Sequence, residues 1–257
     1  LVDYNHNPSP TELDEIEGLA AAGALGFKLY MVEDTATDYP HMPGLGVHHH
    51  GRLLDIAEAV GRTGRPLMVH AQDQDLVETL DKRSWDAGKF DYRSFARIWG
   101  SYDGMVWDSA VAFLLRLAEV VPFRLHVLHV RSRRVVELIR AAKAAGSGVT
   151  TETNTHCVLL CDSWDEIERL GPYALSYWNG PDTTEVLWDA MRDGTIDVLA
   201  TDHQGTEEQH RGKQVVCHGS RDHRQEDVPF LLGQRDVAPP ERDRRSVDRR
   251  ERRPEVV

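Results

Sequence analysis

Four residues close short apolar, strand-like runs. Lys28 ends Ala-Leu-Gly-Phe-Lys, His70 ends Pro-Leu-Met-Val-His, His129 ends Leu-His-Val-Leu-His, and Asp202 ends Ile-Asp-Val-Leu-Ala-Thr-Asp. Neutral imidazole is the commonest protein ligand for zinc, and a carboxylate completes such sites. A lysine ammonium cannot bind a metal, but burial depresses its pKa and exposes a neutral amine. That amine can add carbon dioxide to give a carbamate, which is a carboxylate on a long arm able to bridge two cations. Two metals roughly 3.5–4 Å apart would hold a hydroxide between them and make it a nucleophile at neutral pH. Asp202 would then take the hydroxide's proton as general base and deliver it to a leaving nitrogen as general acid. A lone histidine at a strand end is more often structural; the weight lies on the four together.

The elements that must gather these four alternate along the chain from residue 1 to about 203. Strands are expected over Leu1–Tyr4, Ala24–Met31, Pro66–Ala71, Arg124–Val130, Val149–Thr153, Ala174–Trp178 and Ile196–Thr201. Between them, helices are expected over Thr11–Ala22, Leu53–Arg62, Val106–Val121, Arg133–Ala145, Trp164–Leu170 and Thr184–Arg192. The helix at 106–121 carries apolar residues at 106, 110, 111, 114, 115 and 118, the spacing of a face packed on a sheet. Short apolar strands alternating with helices read as an α/β fold with a parallel sheet. The expected architecture is a TIM-type (β/α)8 barrel, incomplete, with strands two to eight present. Numbered so, Lys28, His70, His129 and Asp202 lie on strands three, four, five and eight, at the C-terminal rim where such barrels keep their chemistry.

Length and composition fit one large core: 257 residues, 40% of them hydrophobic. No apolar run approaches a membrane span and no signal peptide opens the chain, so no membrane association is expected. The net charge of −12 argues against nucleic acid as a partner, because phosphate binding needs a basic face. Three cysteines, Cys157, Cys161 and Cys217, make no disulfide framework and point to a reducing cytoplasm. The expected domain is residues 1–206. Beyond it, residues 207–257 change character: positions 235–257 hold eight arginines and six acids with no aromatic residue and no periodicity. That stretch reads as a disordered tail or as out-of-frame translation of a GC-rich gene.

Several short motifs carry a family resemblance. Gly26-Phe27-Lys28-Leu29-Tyr30-Met31, Val69-His70-Ala71, His126-Val127-Leu128-His129-Val130, Thr150-Thr151-Glu152-Thr153 and the run from Asp193 to His203 resemble the cyclic amidohydrolases. These are the dihydroorotases, allantoinases and hydantoinases of the amidohydrolase superfamily. The resemblance, carried by order and spacing, runs from Leu1 to about His203. It implies a metal-dependent barrel that opens a cyclic amide with water. Lys28 would be the carboxylated bridge, His70 and His129 would ligate the second metal, and Asp202 would be first-metal ligand and proton shuttle. Zinc is the expected cation and carbon dioxide enters as the carbamate on Lys28. The small-molecule substrate would be a cyclic amide, dihydroorotate-like rings first and allantoin or hydantoins next, in a possible homo-oligomer.

Three departures bear on the site. The family's first strand ends in a His-x-His pair that holds the first metal, and this sequence opens after that strand. His6 and the run His48-His49-His50 read as solvent-facing loop residues. The family's Ala-Pro-His after the strand-eight Asp-His is replaced by Gln204-Gly205-Thr206, and its Pro-Pro-Leu-Arg by Asn179-Gly180-Pro181-Asp182. With one set of donors, the chain is expected to bind about one divalent cation and to be a poor enzyme as it stands. Asn154, His156, Asn179 and His203 are candidate substrate contacts. His126, an odd three residues before His129, is expected to face the helices, and Trp85, Trp99 and Trp107 to serve packing. Two functions from different classes follow: a cyclic-amide hydrolase, or a truncated or decayed non-catalytic homologue that binds at most one metal.

Overall fold

The computed structural model describes residues 6–33, 45–89, 94, 98, 104–159, 165 and 183–202. All of them lie in the first of two compact units, Leu1–Asp222; none belongs to the second, His223–Val257. The boundary expected after residue 206 therefore falls outside the described residues, as does the tail.

Five strands form one parallel sheet: β1 (Phe27–Tyr30), β2 (Pro66–His70), β3 (Arg124–Val127), β4 (Thr150–Asn154) and β5 (Val198–Ala200). Their order in the sheet is their order in the chain. The connections are helical: α2 (His50–Thr63) leads into β2, α3 (Gln74–Asp86) and α4 (Met105–Val120) into β3, and α5 (Arg133–Ala144) into β4. Before β1 stands α1 (Ile16–Ala21), and after β4 come α6 (Thr155–Leu159) and α7 (Thr183–Arg192). A parallel sheet whose neighbours are joined by helical crossovers is the expected α/β architecture. Helix α3 was not among the expected elements. No described helix is long and apolar enough to cross a membrane.

The sheet's two faces separate by residue type because side chains alternate along a strand. Phe27, Leu29, Leu67, Val69, Leu125 and Val127 are buried on one face. They join one core with Ile56 and Val60 of α2, Val111 and Leu114 of α4, and Val136 and Ile139 of α5. Each such side chain contributes roughly 1.5–3 kcal/mol by leaving water. The opposite face is chemical. Strand register sets Lys28, Met68, His126 and Thr150 in one row across four strands, with Tyr30 beside His70 one step further along.

The ends of these helices are set locally. Asp73 Oδ1 accepts from Leu76 N at 3.0 Å, and Ser132 Oγ accepts from Val135 N at 2.9 Å, so α3 and α5 each begin on a capping side chain. Helix α2 stops at Gly64, whose φ of 68° is the left-handed cap that glycine adopts without penalty. One turn earlier, Gly61 lets α2 approach the next connection: a Cβ there would sit 2.5 Å from the Pro122 carbonyl oxygen.

Two expectations are corrected here. β4 pairs directly with β5, through Glu152 with Val198, Thr153 with Leu199 and Asn154 with Ala200. These two strands are therefore direct neighbours, and the strand expected over Ala174–Trp178 lies outside the described residues. If β5 is the eighth barrel strand, as the resemblance implies, direct pairing makes β4 the seventh. Lys28, His70 and His129 then belong to the fourth, fifth and sixth strands. The second correction concerns His126, which lies on the chemical face with His129: its Nε2 is 3.6 Å from Glu152, and Glu152 is also 3.6 Å from His129 Nδ1. Strict alternation fails because His129 follows the end of β3 with a φ of 57°.

Candidate active site

Lys28 is the second residue of β1, which runs on to Tyr30 and does not close at the lysine. His70 ends β2, and His129 and Asp202 follow β3 and β5, so that three of the four residues form one cluster and the fourth lies beside it. Lys28 Nζ lies 3.5 Å from His129 Nε2. Asp202 Oδ2 lies 3.8 Å from His129 Nδ1. The His70 and His129 rings are edge to face with centroids 5.1 Å apart. His70 Nε2 donates to Gln72 Oε1 at 2.8 Å, since an amide oxygen can only accept. His129 and Asp202 are the two described non-glycine residues with positive φ, 57° and 48°. Left-handed backbone at a non-glycine residue costs free energy and persists where surrounding structure enforces it, a pattern concentrated at functional sites.

Burial sets the electrostatics. The Lys28 amine is lowered from 10.5 to about 8, by desolvation first, against the opposing pull of the Asp202 and Glu152 carboxylates. A group of pKa about 8 is about one-fifth neutral near pH 7.4, where an ordinary lysine is about one-thousandth neutral. His129 is pushed well below its ordinary value by burial, and further by the Lys28 and Arg131 charges. It is thus held as neutral imidazole, the form that ligates metals. Asp202 is 53% exposed at its side chain, a carboxylate with one side on solvent.

Aromatic and polar residues wall the cluster. Lys28 Nζ sits 4.7 Å from the Tyr30 ring centroid, and the Tyr30 and Trp107 rings flank His70 at 5.3 and 5.0 Å. Buried Arg131 stacks on Trp107 at 4.6 Å and its Nε donates to the His129 carbonyl at 3.2 Å. Trp107 therefore packs as expected and also walls the site. Trp85 lies on α3, and Trp99 is outside the described residues.

Among the secondary candidates, Asn154 is fully buried at the end of β4 and its Oδ1 lies 3.1 Å from His129 Nδ1. His156 is in α6, close enough that its charge bears on His129. Asn179 and His203 lie outside the described residues. Glu152 had been given no role, although it faces both His126 and His129. Its signal was a carboxylate inside the strand Thr-Thr-Glu-Thr, between two threonines that the structure buries. Among the described residues, no three His, Cys, Asp or Glu side chains form a metal site by themselves.

The described residues thus form a parallel α/β sheet with a lysine, two histidines and an aspartate gathered on one side of it. The solved L-hydantoinase from Arthrobacter aurescens superposes with a TM-score of 0.71 at 28% identity, covering 84% of this chain and 46% of that one. In sequence, an allantoinase from Solibacter usitatus is 28% identical over 196 residues, covering 76% of this chain and 40% of that protein. A dihydroorotase from Bacillus licheniformis is 30% identical over 199 residues, covering 75% and 40% respectively. No family model matches. The chain is a homologue of the cyclic amidohydrolases, the group of the allantoinases, hydantoinases and dihydroorotases, and it spans about two-fifths of the length of those curated relatives.

Proposed function

We propose that this chain carries the metal-holding part of a hydrolase that opens a cyclic amide or ureide ring. The observation that carries the reading is the meeting of Lys28, within β1, with His129 and Asp202, which follow β3 and β5 in left-handed backbone. Donor chemistry supports a divalent cation, zinc first, because two imidazoles and a carboxylate are its usual partners. His70 and His129 would each supply a ring nitrogen, Asp202 a carboxylate oxygen, and Lys28 an oxygen once carbamylated. In that modification neutral Nζ forms a bond to the carbon of carbon dioxide and loses one proton, leaving a carbamate anion. The lowered Lys28 pKa supplies the neutral amine.

When bound, the cation supplies Lewis acidity, polarising an amide carbonyl and making water a nucleophile at neutral pH. This chain's residues do the rest. Asp202, half in solvent, accepts a proton from the attacking water and returns it to the ring nitrogen as the C–N bond breaks. Tyr30 and Trp107 pack their rings against the buried His70 and help to fix its orientation. Dihydroorotate-like rings are the first substrate class, with allantoin and hydantoins following. The test is the chain loaded with zinc under bicarbonate, assayed for ring opening of dihydroorotate, hydantoin and allantoin. Slow turnover that disappears in Asp202→Ala is expected. No turnover of any of the three by fully zinc-loaded chain would reject catalysis and leave the metal-binding homologue.

A further inference from the structure

His129 sits between two kinds of neighbour. On its Nε2 side is Lys28 Nζ, at 3.5 Å. An ammonium has three donors and no acceptor, so the ring nitrogen that faces it must offer a lone pair. On the Nδ1 side are three oxygens: Asn154 Oδ1 at 3.1 Å, Glu152 Oε1 at 3.6 Å and Asp202 Oδ2 at 3.8 Å. Two are carboxylate oxygens, which accept when ionised, and only the amide oxygen is within hydrogen-bond distance. Both sides therefore place the ring's single proton on Nδ1.

From this geometry we propose that Asn154 is a positioning residue for the metal site. Its buried side-chain oxygen accepts from His129 Nδ1–H, fixes that tautomer and the ring's orientation, and so presents the Nε2 lone pair to the cation. The proposal rests on the metal reading above and assigns Asn154 a role through His129 in place of contact with substrate. Asn154 is suited to it. It closes β4, the strand beside β3, and is fully buried, so no solvent competes for its oxygen. His129, in left-handed backbone just after β3, has its Nδ1 3.1 Å from that oxygen. Partners that hold the second nitrogen of a metal-ligating histidine typically change metal affinity 10–100-fold when removed. Glu152 and Asp202 are further off and belong to other roles: Asp202 reaches solvent, and Glu152 is shared with His126.

Three full-length proteins decide it: wild type, Asn154→Leu and Asn154→Asp. Leucine removes the acceptor at similar volume, and aspartate keeps an acceptor oxygen in nearly the same place. Zinc affinity, read by competition with a chelating dye under bicarbonate, should fall 10–100-fold in Asn154→Leu and be restored to within a few-fold of wild type in Asn154→Asp. Equal affinity in wild type and Asn154→Leu would overturn the proposal, as would an aspartate variant no better than the leucine one. The second measurement needs no metal. Nitrogen-15 spectra of the imidazoles in the metal-free protein should show His129, assigned by its loss in His129→Gln, protonated at Nδ1. In Asn154→Leu that preference should weaken. His129 protonated at Nε2 in the wild type would sink the proposal outright. Should the wild type bind no zinc, the metal reading fails, while the tautomer spectra still decide what Asn154 does to His129.

Discussion

Holding the Lys28 ammonium in a largely buried site costs stability, and the cost has a pH signature. The folded pKa is about 8 against 10.5 for a free lysine, so between those values the unfolded chain holds a proton that the folded chain has released. Stability therefore rises with pH through that window, and below about pH 8 the full penalty applies. At about 1.36 kcal/mol per pH unit the interval corresponds to about 3 kcal/mol, an upper bound because water reaches part of the side chain. Lys28→Met keeps the length and removes the charge. In carbon-dioxide-free buffer with a chelator, the variant should be more stable than wild type at pH 7, by about 1–3 kcal/mol in urea unfolding. The gap should shrink as pH rises from 8 toward 10. A gap that is constant over this range, or a variant less stable at pH 7, would refute the reasoning that burial has lowered the amine's pKa.

Four other outcomes follow from the same structure. Gly61→Ala should cost about 1–3 kcal/mol, since its Cβ would meet the Pro122 carbonyl at 2.5 Å, whereas Gly18→Ala, with nothing within 4 Å, should be neutral or stabilising; thermal unfolding of the pair checks both. Asp197→Ala should lose about 1–3 kcal/mol in urea unfolding, because Asp197 accepts from Thr151 N at 2.7 Å and from Lys143 Nζ at 2.8 Å, leaving both donors short. Val198 and Leu199 are 44% and 48% exposed on β5, an edge of the described sheet, so Leu199→Lys should reduce concentration-dependent association in light scattering. His129→Gln should lower zinc affinity at least tenfold by calorimetric titration without changing the far-ultraviolet circular dichroism.

Much of the fold could be read from the sequence because apolar runs and helical faces obey periods of two and about three and a half. The helix over Val106–Val121 is found at Met105–Val120, and that over Arg133–Ala145 at Arg133–Ala144. The rim residues were legible as polar types at the ends of apolar runs. His126 was not, because an alternation argument assumes extended backbone and His129 departs from it at φ 57°. Glu152 escaped because β4 reads Thr-Thr-Glu-Thr-Asn, with threonines in the buried positions where apolar residues would announce a strand face. The depth of Asn154, fully buried beside His129, was not legible either, because sequence gives a residue's place along a strand but not its burial. The direct pairing of β4 with β5 was not legible. Local pattern cannot say which strands pair, and the β4–β5 ladder had to be seen.

The central claim is that Lys28 and its neighbours hold a cation only when the lysine carries a carbamate. Elemental analysis of the full chain after equilibration with zinc, with and without bicarbonate, and exhaustive dialysis addresses it directly. The account predicts about one zinc per chain in wild type with bicarbonate, less without it, and none retained by Lys28→Ala. Equal zinc in wild type and Lys28→Ala, or none in either, would contradict it.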